Sequence, residues 1–392
     1  MSAPTYTIRV ASSLKDIATT DWNACAASAD GKVDPFLDHA YFLSLEESGS
    51  ATRQTGWLGH HLVLEADGAI QGILPCYLKG HSRGEYVFDA GWAEAYERAG
   101  GRYYPKLQAS VPFTPATGRR LLVKPGEAGG AARSALVQGA AQVAMKLGAS
   151  SVHVTFCPED EAALMGEAGY LLRTDTQFHF ENEGYGSFDG FLAALASRKR
   201  KAIRRERREA LEGRGITIRQ LTGRDLTEDV WDAFFAFYMD TGSRKWGRPY
   251  LMRSFFSLIG ERMADRILLI MAERDGRYIA GAINFIGGDV LYGRHWGAVE
   301  EHPFLHFEVC YYQAIDYAIS RGLKRVEAGA QGEHKLARGY RPVTTHSAHF
   351  IADPGFRRAV ADYLDRERRY VADAVEELDA LAPFRKMAAE VD

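Results

Sequence analysis

The chain has 392 residues, 46% hydrophobic, 25% charged and 11% aromatic, which is ordinary for a globular protein and long enough for two domains. Its formal charge of -3 excludes global attraction to nucleic acid or an anionic membrane, so any polyanion site has to be a local patch. The first residues lack the basic start and apolar core of a signal peptide, and no apolar run nears the roughly 20 residues of a membrane span. Cys25, Cys76, Cys157 and Cys310 lie far apart without C-x-x-C spacing, which predicts reduced thiols in a cytoplasmic protein.

In chain order, short β-rich runs alternate with helical stretches, the pattern of a mixed α/β architecture. Residues 62–65 lead through Asp67-Gly68 into 70–78, the Asp-Gly pair supplying the positive φ angles of a tight hairpin. Residues 81–124 follow, rich in Gly, Pro and aromatics such as Tyr86, Phe88, Trp92, Tyr96 and Tyr103. A connection of that length predicts a functional loop or lid. Ala144, Gly148 and Val152 then read as a helix end, a glycine cap and a buried strand over 152–156. Gly184 and Gly186 punctuate 181–187, dividing the chain into lobes 1–185 and 186–392. The order recurs beyond them. Residues 267–273, Asp275-Gly276 and 278–286 form a second hairpin, and Ala318, Gly322 and Val326 repeat the earlier spacing before a strand over 325–328. The helix before Gly322 turns Val309, Ile315 and Ile319 toward a core. Together these predict an internal duplication, closed by a long charged amphipathic helix over 354–381.

Three clusters carry chemistry. Residues 197–214 hold nine Lys or Arg against three Glu; at helical spacing Arg198, Lys201, Arg205 and Arg208 share a face flanked by Arg200, Arg204 and Arg207. Such a face suits the phosphates of coenzyme A or a tRNA backbone, unless Glu206, Glu209 and Glu212 merely neutralise a solvated helix. The second cluster, Gly329-Ala-Gln-Gly-Glu-His-Lys335 with Arg338, Tyr340 and Arg341, follows a strand, where α/β sheets bind ligands. Gly329 and Gly332 allow close backbone approach. Glu333 or His334 is placed as a base, and Lys335, Arg338 and Arg341 as partners for phosphate or carboxylate. The third is Tyr292, His295 and Trp296, followed by His302, His306 and Glu308; the Glu308 charge serves either the helix dipole or catalysis. The histidines of this lobe lack metal-ligand spacing, and His346-x-x-His349 on a strand points to opposite faces. Walker A, G-x-G-x-x-G and G-x-S-x-G patterns are absent, which removes kinase, dehydrogenase and α/β-hydrolase readings.

Several strings make the chain recognisable. His81-Ser-Arg-Gly-Glu-Tyr-Val-Phe-Asp-Ala-Gly-Trp92, Tyr103-Tyr-Pro-Lys-Leu-Gln108 and Val111-Pro-Phe-Thr-Pro115 lie in the first half. Gly293-Arg-His-Trp-Gly297, Leu305-His-Phe-Glu-Val-Cys-Tyr-Tyr312 and Gly329-Ala-Gln-Gly-Glu-His-Lys335 lie in the second. Over about residues 35–370 the chain resembles a bacterial family of N-acyltransferases, peptidoglycan-biosynthesis-like and related to FemAB and GNAT proteins. The resemblance implies two tandem GNAT-like lobes and acyl transfer to an amine. It departs from the acyl-CoA enzymes of the GNAT class in lacking their [QR]-x-x-G-x-[GA] pyrophosphate loop, whereas FemAB relatives accept aminoacyl-tRNA.

The expected reaction is attack of an amine on a thioester or ester carbonyl, which needs proton removal and oxyanion stabilisation. Glu333 is the expected base, with His334 and Glu308 as substitutes. Backbone N–H groups over 329–332 are the oxyanion donors. Lys335, Arg338, Arg200, Arg204 and Arg205 hold the donor, and Tyr292, His295, Trp296 and Tyr340 the small-molecule acceptor. Because the net charge is negative and only one basic stretch exists, acyl-CoA is the favoured donor over aminoacyl-tRNA. Two rival readings are a non-catalytic tRNA- or RNA-binding protein and a silent scaffold; no resident cofactor or metal is expected.

Overall fold

The computed structural model describes residues 5–126, 129–246, 249–329 and 332–385, excepting the side chains of 243–246 and 333. Its strands in chain order are β1 (Thr7–Ala11), β2 (Trp57–Gly59), β3 (His61–Ala66), β4 (Ala69–Leu74), β5 (Tyr77–Lys79), β6 (Lys106–Ala109), β7 (Leu122–Val123) and β8 (Ser151–Cys157). There follow β9 (Leu171–Glu181), β10 (Ile216–Leu221), β11 (Ile267–Arg274), β12 (Arg277–Gly287), β13 (Val290–Ala298), β14 (Arg325–Glu327) and β15 (Arg341–Ile351).

Two compact units form. The first comprises Met1–Asp175, Tyr250–Ile259 and Thr344–Ala372; the second comprises Thr176–Pro249, Gly260–Val343 and Asp373–Asp392. They are discontinuous, where the sequence reading drew contiguous halves 1–185 and 186–392. The reason lies in two long strands, since β9 changes unit after Asp175 and β15 after Val343.

In unit 1, β1, β3, β4 and β7 make one antiparallel sheet. A second array runs β2, β5, β6, β8 and β15, with β6 parallel to β8 from Leu107↔Val152 to Ala109↔Val154. In unit 2, β10 to β13 form an antiparallel meander, β13 runs parallel to β14, and β9 flanks β14 antiparallel. The expected repeat is visible element by element. Asp67 and Gly68 adopt φ of 51° and 74°, Asp275 and Gly276 51° and 71°. Helix Gly129–Leu147 ends at Gly148 (φ 64°) and helix Gln313–Ser320 runs out to Gly322 (φ 66°), each leading into the strand of a parallel pair. One expectation fails. Residues 70–78 are not one strand, because Pro75 has no N–H for the ladder; β4 stops at Leu74 and β5 restarts at Tyr77.

Each unit has its own core. Helix Gly129–Leu147 buries Ala132, Leu136, Ala140 and Ala144 with Leu62, Leu64, Val152 and Val154 of unit 1. The core of unit 2 joins Ile270 of β11 to Leu291, Val309, Ile315 and Val326. Each such aliphatic side chain contributes about 1.5–3 kcal/mol when withdrawn from water. The C-terminal helix, Pro354–Ala380, starts on a proline suited to a first turn and buries Phe356, Val360 and Leu364. Among the described residues, no helix is long and apolar enough to cross a membrane.

Candidate functional site

The loop carrying Gly329, Gly332, His334 and Lys335 follows the point where β13 and β14 part. The two pair only from Val290↔Arg325 to Tyr292↔Glu327, after which β13 stays with β12 as far as Ala298. Strands that separate at their carboxyl ends open a crevice. Arg294 enters it with its side chain 2% exposed. Its Nη1 donates to the Gly293 carbonyl at 2.7 Å, and its Nη2 lies 3.9 Å from the Glu327 carboxylate. Glu327 is buried and accepts from Arg325 Nη2 at 3.0 Å. His179 of β9 stands 3.9 Å from its other oxygen, and burial pushes the His179 imidazole down to about 4.

Beyond β14 the chain turns through Gly329 (φ 81°) and Gly332 (φ 112°) into a tight helical turn, Glu333–Arg338. Gly332 is required there: a Cβ would sit 2.5 Å from the His334 ring. Residues 330 and 331 and the side chain of Glu333 lie outside the described residues, so the expected base and part of the oxyanion loop have no described geometry. Lys335, expected as a phosphate contact at the surface, is instead 2% exposed and donates to the Gly329 carbonyl at 3.0 Å. Burial, then the neighbouring Arg294 charge, pulls its ammonium down to about 7. His334 is exposed, with Nε2 2.9 Å from the Tyr311 hydroxyl.

Two anchors fix this loop. Arg338 Nη1 donates to the His334 carbonyl at 2.7 Å, its Nη2 reaches both Glu206 oxygens at 3.0 and 3.1 Å, and its guanidinium lies over Phe307 at 3.3 Å. Tyr312 also donates to Glu206. Arg338 is therefore a buried clamp and not the open phosphate contact expected. Glu308 begins a π-helical turn, Glu308–Tyr312, where the sequence predicted plain α-helix. Both its oxygens are engaged by Arg207, at 2.9 and 3.0 Å, and Gln313 adds a bond at 2.7 Å. Its oxygens are thus committed to Arg207 and Gln313, and it lies in the first turn of its helical segment, where its charge favours the helix dipole.

The acceptor residues separate into two groups. Tyr292 and Tyr340 are core side chains at 4% and 0% exposure, so they present no surface to a substrate. His295 packs against Tyr238 at 5.0 Å, and burial takes its imidazole to about 4. Trp296 is different. With His306, 5.0 Å away, and Leu305 it lines a cavity of about 690 Å³ whose rim carries Glu300, Glu301 and His302. Glu300 is bonded by His302 at 2.9 Å and Arg274 at 3.0 Å.

The basic helix, Ser197–Leu211, buries Ile203 and Ala210 and turns Glu206 and Arg207 to the anchors above. Its other face is cationic. Arg204 pairs with Asp189 at 2.9 Å and Arg205 with Glu209 at 3.7 Å, both in solvent. Among the described residues no ion pair involves Arg198, Lys199, Arg200 or Lys201. Arg341 pairs with Glu183 at 3.4 Å.

Sequence reasoning missed Arg294, Glu327 and His179 in unit 2, and a whole network in unit 1. There Lys106 Nζ binds Asp89 and, at 2.7 Å, Glu85, and Lys79 stands 3.6 Å from Glu85. Tyr103 donates to Asp89 at 2.6 Å, and His153 Nδ1 meets His349 Nδ1 at 2.7 Å. All seven side chains are buried. The segment expected to be a lid is thus fastened down by ionic bonds. The available signal was a single charge inside each apolar run, at Lys106, His153 and Glu327.

One parallel strand pair in each unit, on scaffolding repeated in both, defines a duplicated mixed α/β fold. The chain belongs to the FemAB-like family, described as peptidoglycan biosynthesis/recognition, whose model matches residues 13–386. FemX is similar over 88% of this chain and 98% of its own, at 13% identity and a TM-score of 0.55. A conserved protein of unknown function from Bacteroides thetaiotaomicron aligns over 88% of this chain and 100% of its own, at 12% identity and a TM-score of 0.53. L-PGS from Bacillus licheniformis aligns over 90% and 98%, at 10% identity and a TM-score of 0.50. At these identities the likeness is one of fold. A search of curated proteins gives no significant match.

Proposed function

We propose that the unit 2 crevice transfers an aminoacyl group from a tRNA-type donor to a small amine. The observation that carries this reading is Lys335, a buried lysine at the carboxyl end of β14 whose ammonium is pulled to about 7. Half neutral near physiological pH, it is able to take the proton an attacking amine must lose, which is the condition for efficient general-base catalysis. Once protonated it supplies positive charge to the leaving oxygen. His334, exposed and steadied by Tyr311, is the second proton carrier. The cavity beside Trp296 and His306 is the place for the acceptor, being lined by aromatic rings and the carboxylates of Glu300 and Glu301.

The same cavity weakens the acyl-CoA donor favoured by the sequence. Glu300 and Glu301 put carboxylates at that cavity, and the chain lacks the [QR]-x-x-G-x-[GA] loop with which acyl-CoA enzymes of the GNAT class seat a pyrophosphate. The basic helix supports the tRNA alternative. Its 15 residues extend about 22 Å, which matches an extended phosphate backbone better than one pyrophosphate. The test is a transfer assay with a panel of aminoacyl-tRNAs and acyl-CoAs and mixed amines. Turnover with aminoacyl-tRNA, abolished in Lys335→Met, is expected. Turnover with acyl-CoA alone overturns the donor, and unchanged turnover in Lys335→Met overturns the site.

A further inference from the structure

Unit 1 contains a cavity of about 810 Å³ that the transfer reaction does not use. It lies between the helix Ala90–Arg98 and the start of the C-terminal helix. Cavities of this size, mostly apolar with a few polar groups, are typical small-molecule sites. Its floor is made of small residues. Gly91, Ala95 and Ala99 repeat every four positions on one side, and Gly355 and Ala359 face the same space from the other. Eight residues of helix correspond to about 12 Å, so the space is a trough and not a compact hole.

Its mouth is built. Phe88 is 60% exposed and Tyr363 42%, yet both are held in place. Arg173 Nη1 donates to the Phe88 carbonyl at 2.8 Å, its Nε and Nη2 grip Glu367 at 2.8 and 2.7 Å, and Tyr363 donates to Glu367 at 2.9 Å. The Arg173 guanidinium also lies over Trp92 at 5.1 Å. The ion pair thus holds the Phe88 backbone and the Tyr363 ring, a partly pre-organised apolar surface that lowers the entropy lost when a ligand covers it.

We propose that this trough binds a linear aliphatic chain carried on a neutral or cationic head group. The shape and the ring arrangement both select a chain over a flat ring. Tyr96 and Phe356 are already stacked on each other at 4.3 Å and 19°. Trp92 has Arg173 against one face and meets His349 and Tyr363 edge-on. The walls therefore offer no parallel pair of free ring faces for an inserted aromatic group. The one charged side chain among the lining residues is Asp353, which caps the C-terminal helix by accepting from Phe356 N–H at 2.6 Å. Its negative charge disfavours an anionic head.

This inference is independent of the unit 2 reaction and is tested without it. Calorimetric titration of the full chain with monoacylglycerols of decanoyl, dodecanoyl and tetradecanoyl length, below their aggregation thresholds, reads the chain directly. Saturable 1:1 binding is expected, strengthening roughly tenfold for every two added methylenes until the trough is full. Ala359→Trp, and separately Ala95→Trp, fills the trough from an exposed helix position; each should weaken dodecanoyl binding at least about tenfold with an unchanged melting temperature. Phe88→Ala should weaken it less. Absence of saturable binding, affinity insensitive to both tryptophan variants, or tighter binding of a biphenyl alcohol than of the dodecanoyl ligand would overturn the proposal.

Discussion

The two units solve the same geometric problem in opposite ways. Each contains one parallel strand pair that must separate, β6 from β8 and β13 from β14. In unit 1 the gap is closed by main chain. Gly118 N–H donates to the Phe156 carbonyl at 3.0 Å, and Arg120, 1% exposed, directs its guanidinium at the carbonyls of Thr155, Gly118 and Ala116. In unit 2 the corresponding gap receives the Arg294 side chain and a glycine-bounded loop bearing His334 and Lys335. Even matching positions diverge. His153 and Glu327 each lie five residues beyond the capping glycine, and each faces a histidine on the flanking strand, His349 and His179. Closing a crevice with backbone hydrogen bonds gives stability, whereas leaving it to side chains gives chemistry. That contrast supports the proposed site in unit 2.

The largest expected effect lies in unit 2. Lys335→Met should lower turnover about 10²- to 10⁴-fold with little change in melting temperature. In the unaltered enzyme the rate should rise with pH through about 7, as Lys335 becomes neutral. A pH-rate profile flat across that range would remove the lysine from the reaction.

Unit 1 should respond in stability instead. Arg120→Leu strands the buried carbonyls of Thr155 and Ala116 and the part-buried one of Gly118, the buried ones costing about 1–3 kcal/mol each, so chemical denaturation should show a loss of about 3 kcal/mol or more. Activity per folded molecule should hold; a matching fall in turnover would break the contrast between the units. A second stability effect, confined to acid pH, follows from the histidine pair. Burial holds His153 down to about 3 and His349 well below 6.5, with Lys106 and Arg173 adding to the shift and Asp89 opposing it. The unfolded chain therefore takes up these protons first. Their contribution is intact above about pH 6.5 and is lost as pH falls toward 3, at roughly 1.4 kcal/mol per pH unit for each histidine. His153→Gln with His349→Gln should flatten the acid limb of a melting-temperature profile.

The smallest effect concerns the basic helix. Changing Arg200, Arg204 and Arg205 to Gln should leave stability within about 1 kcal/mol, because the recorded pairs of Arg204 and Arg205 are exposed. It should make tRNA binding shallower in salt, by close to one unit of log-log slope per lost phosphate contact. An unchanged slope would take the donor off this helix.

What the sequence disclosed was local. The Asp-Gly turns at 67–68 and 275–276 and the glycines at 148 and 322 are residue types that tolerate positive φ, so the repeat could be read directly. The strands that mix the units could not, because β15 reaches β8 across about half the chain and no periodicity encodes such a pairing. The same limit governed the site. The loop over 329–335 was legible from glycines behind a strand, but the depressed ammonium of Lys335 comes from its burial and from the charge of Arg294, an earlier strand residue. Glu308 looked available until Arg207, 101 residues earlier, was found on both of its oxygens. The π-helical turn holding it there has no signature in a single sequence.

The most direct measurement of the central claim is hydrogen–deuterium exchange of the full chain, alone and with a non-hydrolysable aminoacyl-tRNA analogue. Protection concentrated in 290–297, 325–340 and the basic helix, with 106–121 and 151–157 unchanged, is the predicted result. Protection of 106–121 and 151–157 while 325–340 exchanges as before would place the donor in unit 1 and contradict the account.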